Sequence, residues 1–347
     1  MTAADWLILA LRVLVPLGVL LGTAGLMSWV ERRGAALIQD RPGPNRVGPL
    51  GLLQPLADSI KFFFKEDIIP SSSDKVLYVL APAIALFSAL TTFAVIPYGA
   101  SLPVAGRAAV PLIGADVSIG VLYVFALTSL SVYGIVLAGW SSNSKFSLMG
   151  ALRSSAQIIS YELAMTTAAA GVILTAGSLR LTDIVAAQSG TWLGFIPRWN
   201  IFPQLVGFIV FFISTFAETN RLPFDLPEAE AELVAGYHTE YSSSMKFAMF
   251  FMAEYVNMTV AASLTVTLFF GGWSLPGFQP QGLLRAILSI LIFAMKTAFF
   301  LWVFVWVRWT LPRFRYDQLM RLGWKALLPL ALANLLWVGG LVTLGWI

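Results

Sequence analysis

The chain has 347 residues, 58% of them hydrophobic and 12% charged, with a net charge of +4 and a mean hydropathy of +0.80. A soluble domain carries about 25% charged residues, so a soluble core of this size could not hide so much apolar surface, and an integral membrane protein is expected. Long unbroken apolar runs disfavour a β-barrel, whose strands alternate apolar and polar residues. The absence of cysteine and a single histidine, His238, exclude iron–sulfur clusters held by thiolates, bis-histidine haem and multi-histidine zinc within this chain.

The apolar runs predict an all-α polytopic bundle of about eight transmembrane helices. They lie near residues 6–30, 76–98, 116–140, 155–177, 202–219, 246–271, 284–308 and 324–345. Each approaches the roughly 20 residues that a hydrocarbon core requires, and residues 1–347 read as one membrane domain. The first run is too long for a signal-peptide core and is expected to stay on the protein. Arg12, near its end, is expected to snorkel. Loops after spans one, three, five and seven hold most of the lysines and arginines, among them Arg32, Arg41, Lys61, Lys145, Arg221, Arg308 and Arg313. The opposite loops hold only Arg107, Arg180, Arg198 and Arg285. The positive-inside rule therefore makes the first set cytoplasmic and places both termini on the non-cytoplasmic side. The basic balance is accounted for by topology, and there is no nucleic-acid signature.

The first cytoplasmic loop, 31–75, opens on Glu31-Arg32-Arg33. It continues through Asp40-Arg41-Pro42-Gly43-Pro44-Asn45-Arg46, where the prolines exclude helix. Over 52–65, Leu52, Leu53, Leu56, Ile60, Phe63 and Phe64 recur at helical spacing, with Gln54, Asp58, Lys61 and Lys65 on the other face. This segment is too short and charged to span, so an amphipathic helix in the membrane interface is expected. It can serve as a surface anchor or as a threshold between lipid and a protein cavity.

Two later regions concentrate ionisable groups. The acidic loop 218–246 contains Glu218, Asp225, Glu228, Glu230 and Glu232, interrupted by Pro223 and Pro227. Asp225 with Glu228 three residues on fits a capping box, which accounts for part of the charge. The alternating glutamates fit a proton-handling cluster. His238 near Glu240 has no metal-ligand spacing and reads as a hydrogen-bonded loop histidine. Within the spans stand Glu162, Glu254 and Lys296. At 1.5 Å per residue the two glutamates lie roughly 10–12 Å from the cytoplasmic helix ends, and Lys296 roughly 16–18 Å. A charge at the bilayer centre costs roughly 2.5–3.5 kcal/mol even on the lenient scale. These groups must therefore pair, face water or be neutral. They fit either a structural ion pair or a proton relay running inward from the cytoplasmic side.

The motifs Glu31-Arg32-Arg33, Asp40 through Pro49, Gly51 through Asp67, Trp140 through Glu162, Ala217 through Tyr241 and Pro312 through Leu322 together carry a resemblance. They resemble the H-type membrane-subunit family of proton-pumping NADH:quinone oxidoreductase, respiratory complex I. The resemblance covers nearly the whole chain and all four cytoplasmic loops. It implies a multi-pass subunit of a bacterial inner membrane, or an equivalent energy-transducing membrane, that closes the membrane end of a quinone chamber. The implied partners are peripheral-arm quinone-site subunits, small membrane subunits, antiporter-like pumping subunits, quinone and phospholipids. FMN and iron–sulfur clusters would reside in partner subunits, with no cofactor bound by this chain. By the same resemblance Arg32, Arg41, Asp58, Phe224 and Asp225 belong to the chamber and its portal. Glu218, Glu228, Glu230 and Glu232, followed by Glu162 and Glu254, would couple quinone chemistry to pumping. Three other readings compete: a membrane subunit of a related energy-converting hydrogenase, a cation/proton antiporter, and an intramembrane protease. The last lacks any recognisable catalytic constellation.

Overall fold

The computed structural model describes residues 3–103, 109–192, 194, 196–226, 236–241, 245–276 and 281–346. Among them the helices are α1 (Ala3–Ile38), α2 (Gln54–Phe64), α3 (Lys75–Thr92), α4 (Gly120–Ser141), α5 (Lys145–Ala176), α6 (Leu181–Ala187), α7 (Leu205–Glu218), α8 (Met245–Phe269), α9 (Gly282–Thr310), α10 (Tyr316–Leu322) and α11 (Leu328–Thr343). A π-helical turn, Gly323–Leu327, joins α10 to α11. A two-stranded ribbon pairs Thr191–Trp192 with Ile196–Pro197.

Among the described residues, seven helical stretches are long and apolar enough to cross a membrane: α1, α3, α4, α5, α8, α9 and the α10–α11 unit. The expected fifth span, 202–219, differs. Its helix α7 has 14 residues, or roughly 21 Å at 1.5 Å per residue, against a hydrocarbon core of roughly 30 Å. Residues 201–204 form turns instead of helix, and the Gln204 amide donates to the Gly171 carbonyl at 3.3 Å. The eight expected spans thus resolve into seven long helices and one short one. The interfacial helix α2 covers 54–64, close to the expected 52–65. Helix α1 runs eight residues past its expected end at residue 30, to Ile38. Glu31, Arg32 and Arg33 therefore ride on its last turns instead of opening a loop.

Helix α8 is the most buried of the long helices and α1 the least. Helix α8 packs on α3, α1 and α9, while α5 packs on α4, α7 and α11. Helix α7 presents Phe212 and Phe216 to α9, with ring centroids 5.2 Å from Phe300 and 4.2 Å from Phe304 respectively. Gly134 of α4 allows a close approach to α3, since a Cβ there would lie 2.9 Å from the Ala81 carbonyl oxygen.

Three helices that finish at one end of the bundle close with a left-handed non-glycine residue: Asp40 after α1, Asn143 after α4 and Asn220 after α7. Asp and Asn tolerate this conformation better than most residues. At α7 the amide of Asn220 donates to the Ala217 carbonyl at 3.3 Å, and that of Arg221 to Phe216 at 3.0 Å. This is the Schellman arrangement. At the same end the Asp74 amide donates to Ser141, and the Phe314 amide to Pro223. The four charged loop regions are thereby gathered together.

Candidate functional site

The turn after α7 directs the Arg221 side chain into the bundle, where it is buried. It reaches Glu31 on the last turns of α1, with Nη1 at 3.2 Å from Oε2 and 3.4 Å from Oε1. Glu31 also pairs with Arg308 of α9 and accepts a hydrogen bond from the Tyr255 hydroxyl of α8 at 2.9 Å. The Arg221 guanidinium lies 4.6 Å from the centroid of the Tyr255 ring, and its Nη2 is 3.9 Å from Oε2 of Glu254. Burial opposes the charge on Arg221, but Glu31, Tyr255 and Glu254 outweigh that penalty and raise its pKa. Two arginines, two glutamates and a tyrosine from α1, α8, α9 and the α7 turn thus form one buried ionic cluster.

Glu254 connects this cluster to a second feature. Both of its carboxylate oxygens are buried without a hydrogen bond, as are Oε2 of Glu218 and the amide oxygens of Asn220 and Asn257. All four residues line one cavity of about 20 Å³, which also touches Ser131 and Tyr237. A water needs roughly 10–15 Å³ of such space, so the cavity has the size and polar lining for one bridging molecule. Glu162 of α5 accepts a hydrogen bond from Ser129 of α4 and acts electrostatically on Glu218. Three of the expected relay acids, Glu162, Glu218 and Glu254, are therefore grouped between α4, α5, α7 and α8. Glu228, Glu230 and Glu232 lie outside the described residues.

A larger cavity of about 250 Å³ opens between α1, α2 and α8. Its lining includes Ala24, Ser28, Arg32, Asp58, Phe62, Ala248, Met252 and Tyr255. Arg32 pairs with Asp58 at 2.6 Å, and Gln54 donates to the other Asp58 oxygen at 3.0 Å. Tyr255 belongs to both places: its ring lines this cavity and its hydroxyl holds Glu31.

The other expected site residues stand apart from these two cavities. Arg41 donates to Gln39 at 2.7 Å on the exposed surface. Phe224 is buried against Tyr161 and Phe314, and its carbonyl accepts from Gln157 at 2.8 Å. Asp225 pairs with Arg313 at 2.9 Å. Lys296 meets no carboxylate among the described residues; its Nζ donates to the carbonyls of Phe270, Gly272 and Ser274 at 2.7–2.9 Å. His238 packs between Tyr237 and Phe247. Burial lowers its pKa to about 4, so it is neutral near pH 7. Among the described residues no three metal-ligating side chains cluster.

Sequence reading missed the grouping of Glu31, Arg221 and Arg308. Glu31 was visible within its motif and the arginines as loop charge. Their pairing spans 190 residues between Glu31 and Arg221 and leaves no periodic trace.

Known proteins are similar to this chain over nearly its whole length. A family model described as NADH dehydrogenase matches residues 11–339. The chain is 51% identical to the H-type subunit of the NADH-quinone oxidoreductase of Salinibacter ruber, over 97% of this chain and 96% of that protein. It is 52% identical to NADH-quinone oxidoreductase subunit 8 of Rhodothermus marinus, over 94% and 95%. It is also 52% identical to an H-type subunit of the NADH-quinone oxidoreductase of Geobacter metallireducens, over 94% of each.

Proposed function

Because the chain belongs to the NADH dehydrogenase family, among the H-type membrane subunits of NADH-quinone oxidoreductase, we propose that it forms the membrane end and lipid portal of the quinone chamber. On this reading it also passes the charge changes of quinone reduction to proton-carrying glutamates. The observation that carries the proposal is the 250 Å³ cavity between α1, α2 and α8, which has Arg32–Asp58 in its lining and Tyr255 joining it to the buried ionic cluster. A long-tailed quinone needs such an apolar approach with a few polar groups for its head.

The charged end of the bundle then faces the cytoplasm, by the positive-inside rule, and meets the peripheral-arm subunits there. With no cysteine and one histidine, the chain offers no ligand set for an iron–sulfur cluster. Electrons must reach the quinone from flavin and iron–sulfur clusters in partner subunits. Reduction takes two electrons and two protons to give the quinol, with transient negative charge at the head. Arg32, in the cavity lining, would meet that charge, and Arg221 and Arg308, held behind Tyr255 through Glu31, would respond to it. As they do so their hold on Glu31 and Glu254 changes. A unit charge at about 4 Å is worth about 4 kcal/mol at an effective dielectric of about 20, enough to decide whether a carboxyl keeps its proton. The signal runs from Glu31 and Arg221 to Glu254, across the small cavity to Glu218, and on to Glu162. Glu228, Glu230 and Glu232 extend the acidic supply on the cytoplasmic side. Arg41, Phe224 and Asp225 stand outside the cavity between α1, α2 and α8, and their part in the chamber rests on the family resemblance alone.

Placing a tryptophan at Ala248 tests the portal directly, because Ala248 lines the cavity. The assembled Ala248→Trp complex should oxidise NADH with ferricyanide at the normal rate. Turnover with a long-tailed quinone should fall about tenfold, roughly the loss of 1.4 kcal/mol of transition-state binding, with a smaller loss for a tail-less analogue. Equal, normal turnover with both quinones would remove this cavity from the route.

A further inference from the structure

We propose that the cavity at the other end of the bundle binds one anionic phospholipid, with its phosphate at Arg285 and an acyl chain along α9. This site is independent of the quinone reading. The cavity, about 430 Å³, lies between α6, the residues around Trp273 and the first turns of α9. Its volume falls within the range of small-molecule sites.

Charge selects the headgroup. Arg285 lines the cavity and has no carboxylate within ion-pair distance among the described residues; its guanidinium lies 5.7 Å from the centroid of the Trp273 ring. Asp116, which accepts a hydrogen bond from the lining residue Thr182 at 3.1 Å, is already shared with Arg180 at 3.9 Å. Arg198, also unpaired among the described residues, lays its stem against the lining residue Gly190, whose added Cβ would sit 3.5 Å from Arg198 Cδ. Thr191 adds a hydroxyl, while those of Ser189 and Ser274 already donate to the Ala186 and Gly271 carbonyls. An unpaired guanidinium beside a hydroxyl suits a phosphodiester, and a tryptophan at that level suits the headgroup region.

The helix below selects the tail. Leu284, Leu291 and Met295 are exposed along α9, Leu288 and Ile292 line the cavity, and Ala286, Phe293 and Thr297 turn inward. From Leu284 to Met295 this apolar stripe is about 16 Å long at 1.5 Å per residue. One leaflet of the hydrocarbon core is about 15 Å deep. A cation at the head of a stripe one leaflet long fits a single anionic lipid.

The test uses the intact complex in phosphatidylcholine nanodiscs doped with phosphatidylglycerol carrying a diazirine on one acyl chain. The matching phosphatidylcholine probe serves as control. After irradiation, the α9 peptide containing Leu288–Met295 should carry about fivefold more phosphatidylglycerol than phosphatidylcholine adduct, the upper end expected for one exposed ionic contact. Arg285→Gln should erase the preference and Arg285→Lys should keep most of it. Leu288→Trp, which fills the cavity without changing charge, should abolish labelling and serves if Arg285→Gln does not assemble. Equal labelling by both probes, an unchanged preference in Arg285→Gln, undiminished labelling in Leu288→Trp, or α9 shielded by another subunit would each overturn the proposal.

Discussion

Glu162, Glu254 and Lys296 each sit within a long helix, and each is satisfied differently. Glu162 takes a serine hydroxyl. Glu254 takes no hydrogen bond and faces Arg221 across 3.9 Å. Lys296 spends all three of its N–H donors on the carbonyls of Phe270, Gly272 and Ser274, and lies over the ring of Trp199. Those carbonyls belong to the turn that follows α8, so Lys296 ties that turn to α9 as a structural clamp. The presumption that an intramembrane charge is functional therefore suits Glu254 better than Lys296. Hydrogen bonds to charged groups contribute about 1.5–3 kcal/mol each. Lys296→Met should lower the thermal midpoint of the purified complex and reduce its yield, while complexes that assemble keep the normal proton-to-electron ratio in proteoliposomes. A stable Lys296→Met complex that turns over quinone without pumping would return Lys296 to the proton route.

Periodicity located the elements well where burial is one-sided or continuous. The amphipathic stripe from Leu52 to Phe64 gave α2 almost to the residue, and the apolar runs gave seven long helices. It overran α7 by a few residues, because that helix's length is set by the turns at 201–204 and by Asn220, features of backbone conformation and not of hydropathy. It fell short at the end of α1, because Glu31 looks like loop charge until Arg308 of α9 is seen to be its partner. Glycine contacts were equally hidden. Gly150 of α5 meets the segment 236–241 so closely that a Cβ would lie 2.6 Å from the Gly236 carbonyl carbon and 2.7 Å from the Tyr237 nitrogen. That segment is also held by Tyr241 stacked on Tyr78 at 4.1 Å and by the Tyr78 hydroxyl donating to the Glu240 carbonyl at 2.7 Å. Gly150→Ala must push backbone from backbone, at a cost of about 1–3 kcal/mol. Faster proteolysis near 236–241 is expected in the intact complex, with slower quinone reduction and unaffected ferricyanide reduction. Unchanged cleavage and rate would show that the two backbones can separate freely.

At the scale of the whole molecule, the portal cavity, the ionic cluster and the small cavity are linked in series among the described residues. The portal cavity meets the ionic cluster at Tyr255, and the cluster meets the small cavity at Glu254. Beyond that cavity, Glu218 leads towards Glu162 on α5. If these acids act in sequence, removing one should leave little for the other to do. Glu162→Gln and Glu254→Gln should each slow coupled proton uptake about tenfold, and the double variant should be no slower than the more severe single, because residues acting as a unit are non-additive. Acids that contribute independently to one rate would instead multiply the losses to about a hundredfold. The initial rate of proton uptake driven by NADH, measured in proteoliposomes containing each assembled complex, separates the two cases. A multiplicative loss would mean that Glu162 and Glu254 contribute independently, joined in space near Glu218 but not acting as one unit.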